Sequence, residues 1–122
     1  MNHIRYLKIK ERAHQFTLAI FKAVEDIPTR ETGLINRIKL EAISISGGIT
    51  NGLGRGNYDE ANLLLLRAID ASNKLEYLLL LDADLECLSG ESHQRLKDEL
   101  VEIRRLLARY VQGMQFFTDY YD

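Results

Sequence analysis

The clearest helical signal in the sequence is the stretch LKDELVEIRRLLARY, residues 96–110. Its large apolar residues follow alternating steps of four and three, and they are Leu96, Leu100, Ile103, Leu107 and Tyr110. The same steps reach Met114 and Phe117. A seven-residue apolar repeat is typical of helices that pack side by side and interlock their side chains. The sequence therefore predicts a helix over residues 90–118 that belongs to a bundle.

Three earlier segments have similar apolar spacing, which predicts helices over residues 4–26, 33–53 and 58–88. Pro28 separates the first two helices, because proline lacks the N–H donor that a continuing helix needs. A glycine-rich corner at residues 52–56 separates the next two, and we expect left-handed glycine to end the second helix there. Short connections place neighbouring helices antiparallel. The sequence predicts an all-α protein, an antiparallel up-down-up-down four-helix bundle with one domain over residues 1–122.

The predicted core consists of one apolar row from each helix. The first three rows are Ile9, Ala13, Phe16, Ile20, Ala23 and Ile27, then Ile35, Ile38, Ala42, Ile45 and Ile49, then Ala61, Leu65, Ala68, Ser72, Leu75 and Leu79. Thr32, Asn57 and Ser89 are the predicted N-caps of the second, third and fourth helices, because their side-chain oxygens can accept bonds from orphan N–H groups. Gly47 and Gly48 lie inside the second helix, where each costs about 1 kcal/mol relative to alanine. We expect close approach of another backbone there, and a kink is the alternative.

Length and composition exclude several classes of protein. A chain of 122 residues buries enough surface to fold without a metal or a disulfide. The net charge of -2 shows no overall basic signal for nucleic acid. Cys87 is the only cysteine, which fits a reducing compartment. We see no signal peptide, and the leucine runs are too short to span a membrane. The sequence predicts a soluble, cytoplasmic protein.

No catalytic motif in the sequence is complete, so we predict a protein that is not an enzyme and has no cofactor or bound metal. The glycines at 52, 54 and 56 follow a helix and lack the Gly-Lys-Ser/Thr ending of a phosphate-binding loop. Glu11 and His14 match half of a di-iron motif, but no second copy exists. Acidic neighbours of Cys87 should blunt its reactivity. Those neighbours, the acidic run at residues 82–86, form either a solvated helix end or a docking patch for a basic partner.

Basic residues concentrate near the start of the first helix and late in the fourth. They are Arg5, Lys8, Lys10, Arg12, Arg104, Arg105 and Arg109. In an antiparallel bundle these two regions meet at one end, so together they are candidates for contact with nucleic-acid phosphates. The alternative is an ordinary solvated surface, with the later arginines complementing the helix dipole.

The third helix is apolar on more than one face, which indicates burial on more than one side. Its additional apolar residues are Leu63, Leu66, Ile69, Tyr77, Leu80 and Leu81. Phe116 and Tyr120, in an aromatic-rich tail, also lie outside the apolar row that is predicted to face the core from the fourth helix. These eight residues are the predicted interface between subunits.

The order of several short motifs resembles the four-helix-bundle proteins encoded within intervening sequences of bacterial 23S rRNA genes. The motifs are Leu7-Lys8-Ile9, Ala13-His14, Ile27-Pro28, Gly33-Leu34, residues 38–42, Ser44-Ile45, Ile49, Gly52-x-Gly54-Arg55, Glu60, Ala68 and Leu75-Glu76. The family tends to have tryptophan at Lys10, proline near Ser46, asparagine near Gly48 and glutamate near Asn51.

The resemblance implies a homo-oligomer, with five subunits as the expected number. It also implies kinship with the accessory variability determinant of diversity-generating retroelements, a pentameric bundle that works with a reverse transcriptase and binds RNA through a basic surface. We therefore expect a non-enzymatic, self-associating scaffold for RNA or a reverse transcriptase. The alternative is a protein–protein interaction module with no nucleic-acid partner.

Overall fold

The computed structural model describes the backbone of residues 3–25, 27 and 31–121, and the side chains of residues 4–25, 27 and 31–113. The helices are α1 His3–Glu25, α2 Thr32–Leu53, α3 Tyr58–Leu85 and α4 Gly90–Tyr121. No strand occurs in this part of the chain, so the all-α prediction is confirmed. Within the same residues, no helix has an apolar stretch of the length that crossing a bilayer requires.

Each helix packs against two others, in the order α1, α2, α3, α4 and back to α1. Tyr6, near the start of α1, donates a hydrogen bond to the carbonyl of Ile49, near the end of α2. The ring centroid of Tyr6 also lies 5.1 Å from that of Tyr110, late in α4. Gly52, near the end of α2, lies against Ala61, near the start of α3. These contacts join early residues of one helix to late residues of the next, as an antiparallel bundle requires.

The predicted core rows are buried, with small exceptions. Ala23 and Ile35 are only half-buried, and Val24 lies in the core where the prediction had Ala23. The row moves by one residue because an α-helix has 3.6 rather than 3.5 residues per turn. The core of α4 follows the predicted repeat from Leu96 to Tyr110, whereas the side chains of Met114 and Phe117 lie outside the described residues.

Two of the three predicted N-caps are confirmed. The side chains of Asn57 and Ser89 accept hydrogen bonds from backbone N–H groups three residues later, at 2.8 and 3.1 Å. The prediction for Thr32 is wrong, because Thr32 is already the first residue of α2. Glu31 precedes it and makes no side-chain capping bond.

The expectation of a left-handed glycine at the end of α2 is also wrong. Gly54 has a φ of -81°. The right-handed turn continues through it, because the Gly54 N–H bonds the carbonyl of Asn51 and the N–H of the next residue, Arg55, bonds the carbonyl of Gly52. No described glycine has a positive φ. The left-handed residue is Glu86, with a φ of 56°, and it ends α3 at Leu85 rather than at residue 88.

A buried carboxylate holds the turn between α3 and α4. Asp82 is fully buried, and its Oδ2 accepts a hydrogen bond of 3.3 Å from the backbone N–H of Leu88. The Asp82 carbonyl accepts a second bond, of 3.3 Å, from the N–H of Cys87. Burial raises the pKa of the Asp82 carboxyl. Asp82 therefore belongs to neither the solvated helix end nor the docking patch considered above, whereas Asp84 and Glu86 are exposed.

The glycine pair in α2 has two different environments, and α2 is helical throughout it. A Cβ atom on Gly48 would lie 3.1 Å from the Leu64 carbonyl oxygen and 3.2 Å from the Ala68 Cβ. A Cβ atom on Gly47 would have nothing within 4 Å. The predicted close approach of another backbone is therefore confirmed at Gly48, where α2 meets α3, but not at Gly47.

Candidate functional site

The predicted basic end of the bundle contains an ion pair between helices. Arg12 of α1 donates from Nε and Nη2 to the two carboxylate oxygens of Glu99 in α4, at 2.6 and 2.8 Å. The Arg12 pKa is raised, mainly by this hydrogen bond to Glu99. Such two-point pairing is the geometry in which arginine binds a carboxylate best. The guanidinium of Arg12 is therefore already engaged within the subunit.

Two other predicted phosphate contacts are also paired with carboxylates. Arg104 donates to the carboxylate of Glu76 and, at 3.0 Å, to the side-chain oxygen of Asn73. Arg105 donates to Glu102 through Nε at 2.9 Å and through Nη2 at 2.6 Å. The first pair joins α4 to α3, and the second lies within α4. These arginines therefore meet carboxylates rather than forming an open cationic patch.

The other predicted basic residues are Arg5, Lys8, Lys10 and Arg109. The start of α1 and the late part of α4 do meet, as predicted, because the Tyr6 and Tyr110 rings stack edge to face. Arg5 lies close enough to Tyr110 for its charge to act on the phenol. Lys8 and Lys10 are about 200° apart around α1, so they cannot share one face. The structure brings the two chain regions together but spreads their charges over several faces.

The apolar residues predicted as an interface on α3 fall into two groups. Leu63, Leu66, Tyr77 and Leu80 are exposed, with 45 to 63 % of each residue accessible. Ile69 and Leu81 are half-buried, and Ile69 packs against the core. Ile69 is therefore mainly an internal contact. The side chains of Phe116 and Tyr120 lie outside the described residues.

Two further apolar rows were not predicted from the sequence. The exposed large apolar residues of α1 are Ile4, Leu7, Leu18 and Phe21, and those of α2 are Leu40 and Ile43. On α1 they fit a second series of steps of three and four, which Glu11 and His14 interrupt. The Lys39 ammonium lies over the Phe21 ring, 5.4 Å from its centroid, so the lysine covers part of one face of that ring. By contrast, the only large apolar residue exposed on the described part of α4 is Val101.

The side chains considered for metal binding or catalysis do not assemble into a site. Glu11 and His14 are both exposed, and Glu11 accepts a hydrogen bond of 2.9 Å from Gln15. Cys87 is half-buried beside the turn described above. Among the described residues, no three His, Cys, Asp or Glu side chains gather closely enough to hold a metal ion.

The four packed helices match the model of a known protein family. The family model of the 23S rRNA-intervening sequence protein matches residues 5–109, which is most of the chain. The chain belongs to this family. The match spans the four packed helices and stops before the aromatic tail of α4. The resemblance inferred from the sequence motifs is therefore confirmed.

A solved structure supports the fold of this family member. A Bacteroides thetaiotaomicron VPI-5482 protein of unknown function, from the S23 ribosomal protein family, superposes on this chain with a TM-score of 0.81 and 19% sequence identity. The alignment covers 88% of this chain and 98% of that one. At this identity the likeness concerns the fold alone. No curated protein matches this 23S rRNA-intervening sequence protein family member.

Proposed function

We propose that the protein is a non-enzymatic, homo-oligomeric scaffold that acts in the cytoplasm, with five subunits as the family resemblance implies. The observation that carries this proposal is the set of exposed apolar rows on α1, α2 and α3. Fully burying a leucine-sized side chain contributes about 1.5–3 kcal/mol. A monomer would leave all of these side chains in contact with water.

The placement of the rows favours a ring over a simple dimer. The helices α1 and α3 do not pack against each other, so they occupy opposite corners of the bundle. Their exposed rows therefore face different directions, and one two-fold interface cannot cover both. A head-to-tail interface, in which α3 of one subunit meets α1 or α2 of the next, covers both and closes into a ring if the rotation fits.

Charge substitution on α3 should break this assembly. We expect the double variant Leu66→Glu, Leu80→Glu to be a folded monomer at micromolar concentration, because two carboxylates cannot be buried without partners. Light scattering coupled to gel filtration measures the mass, and circular dichroism checks the helices. Gln112→Glu, on the exposed side of α4, is the matched control and should keep the mass of the unmodified protein. An unmodified protein that is itself a monomer would contradict the proposal.

We further propose that the scaffold serves RNA or a reverse transcriptase, with contacts to phosphate from the seven basic residues named above. Three of these residues, Arg12, Arg104 and Arg105, would first have to exchange their carboxylate partners for phosphate. Lys8, Lys10 and Arg109 have no ion pair with another described residue, so they are the more available contacts.

The second candidate function is a protein–protein interaction module with no nucleic-acid partner. The three ion pairs favour it, because they neutralise three of the seven basic residues that the RNA proposal assigns to phosphate contact. In this case the apolar rows left after self-association would contact a partner protein. This module has no need of a basic surface.

The salt dependence of RNA binding separates the two functions. If Lys8, Lys10 and Arg109 each contact one phosphate, affinity for a structured RNA should fall roughly twenty- to forty-fold between 50 and 200 mM salt. Fluorescence anisotropy with a labelled RNA hairpin measures this change. Replacing the three residues with glutamine should flatten the response. Binding that is weak and insensitive to salt would exclude RNA and support the second function.

A further inference from the structure

A groove of about 570 Å³ runs between α1 and α4, away from the exposed row on α3. Its floor contains Phe16 and Leu96, and the small side chains Ala19 and Ala23 leave the space open. Ala19 is exposed and Ala23 is half-buried. Grooves and pockets that hold ligands or peptide anchors commonly have volumes of about 300–1,000 Å³. The space is therefore large enough to accept side chains from a second molecule.

The charge of the groove is positive. Lys22 and Arg95 line it, both are exposed, and neither forms an ion pair with another described residue. The carboxylate at its edge, Glu99, is already held by Arg12 at 2.6 Å. An occupant that combines apolar side chains with negative charge would complement this surface.

The end of α4 has these properties. After Arg109 the chain contains no basic residue, two aspartates at 119 and 122, and four aromatic residues between 116 and 121. Tyr110 lies opposite Tyr6, only three residues after the start of α1, whereas α4 continues to Tyr121. At 1.5 Å per residue, the last two turns of α4 extend about 12 Å past the start of α1.

The tail cannot reach the groove of its own subunit. Groove residues on α4 lie between Ser92 and Glu99, and the aromatic residues begin at position 116 of the same continuous helix. That separation is about 25 Å along a straight helix. We infer that the acidic, aromatic tail of α4, residues 114–122, docks into the α1–α4 groove of a second copy of this chain. The inference rests on the proposal that the protein self-associates, but it uses a different surface from α3.

A labelled peptide of residues 113–122 tests the contact directly. The receptor is the full-length protein whose four tail aromatics are replaced by serine, so that its grooves are free. We expect saturable binding, measured by fluorescence anisotropy, with a Kd on the order of 10–100 µM. Adding Lys22→Glu and Arg95→Glu to the receptor should weaken binding at least ten-fold. A peptide with the same four serine substitutions should not bind.

The matched control reverses two exposed basic residues outside the groove, Arg55→Glu and Lys97→Glu, which changes the net charge by the same amount. Binding to this receptor should stay within two-fold. Equal weakening in both receptors, or no saturable binding to the first, would overturn the inference. A receptor that also carries Leu66→Glu and Leu80→Glu should still bind the peptide. This arm separates failure of the groove from failure of assembly through α3.

Discussion

Replacing Gly48 with glutamine is expected to lower the free energy of unfolding by about 2–3 kcal/mol. Even a Cβ atom at this position would lie 3.1 Å from the backbone carbonyl of Leu64 and 3.2 Å from the Ala68 Cβ. A backbone carbonyl cannot rotate away as a side chain can, so α2 and α3 would have to move apart. Urea denaturation followed by circular dichroism measures the change.

Gly47→Gln is the matched control for this prediction. It introduces the same side chain one residue earlier, where a Cβ atom would meet nothing within 4 Å. Because glutamine is the better helix former, this variant should be more stable than the original by about 0.5–1 kcal/mol. Equal effects at the two positions would show that α2 does not approach α3 at Gly48 as described.

Replacing Tyr6 with alanine is expected to cost about 3–5 kcal/mol of unfolding free energy, the range for removing a large buried aromatic side chain. Only 3% of Tyr6 is exposed, its ring packs edge to face on Tyr110, and its hydroxyl bonds the carbonyl of Ile49. One side chain thus joins α1 to both of its neighbours. Thermal and urea denaturation measure the loss.

Two further variants divide the effect of Tyr6. Tyr6→Phe keeps the ring and removes the hydroxyl, so it should cost only about 1 kcal/mol. His14→Ala, on the exposed side of α1, should change stability by less than about 0.5 kcal/mol. If Tyr6→Ala were as mild as His14→Ala, the end of the bundle would not be closed by this residue.

The sequence was sufficient where structure depends on residues close together in the chain. The repeat from Leu96 to Tyr110 determines which face of α4 is buried, and the cap at Asn57 involves a bond across three residues. Both features follow from helical geometry alone. The family could be inferred for a similar reason, because its motifs mark the ends and the packed faces of the helices.

Features that depend on contacts between distant residues were missed. Arg12 and Glu99 are 87 positions apart, so a count of basic residues could not reveal that Arg12 is paired. The difference between Gly47 and Gly48 depends on where α3 lies. Tyr6 was not assigned to the core because the core was predicted from the spacing of apolar residues, and tyrosine carries a polar hydroxyl. The exposed rows on α1 and α2 were overlooked because polar residues interrupt them.

Two carboxyl groups give the protein opposite responses to acid. Burial raises the pKa of Asp82, so the stability that this group contributes is complete below its ordinary pKa of 3.8 and is lost as the pH rises through the higher native value. The hydrogen bond from Arg105 lowers the pKa of Glu102, so its contribution is present above the ordinary pKa of 4.5 and is lost as the pH falls through the lower native value. As the pH falls, Asp82 at the α3–α4 turn therefore takes up its proton before Glu102 on the α4 surface loses its charge. The hairpin of α3 and α4 is thus suited to remain closed in moderately acidic surroundings.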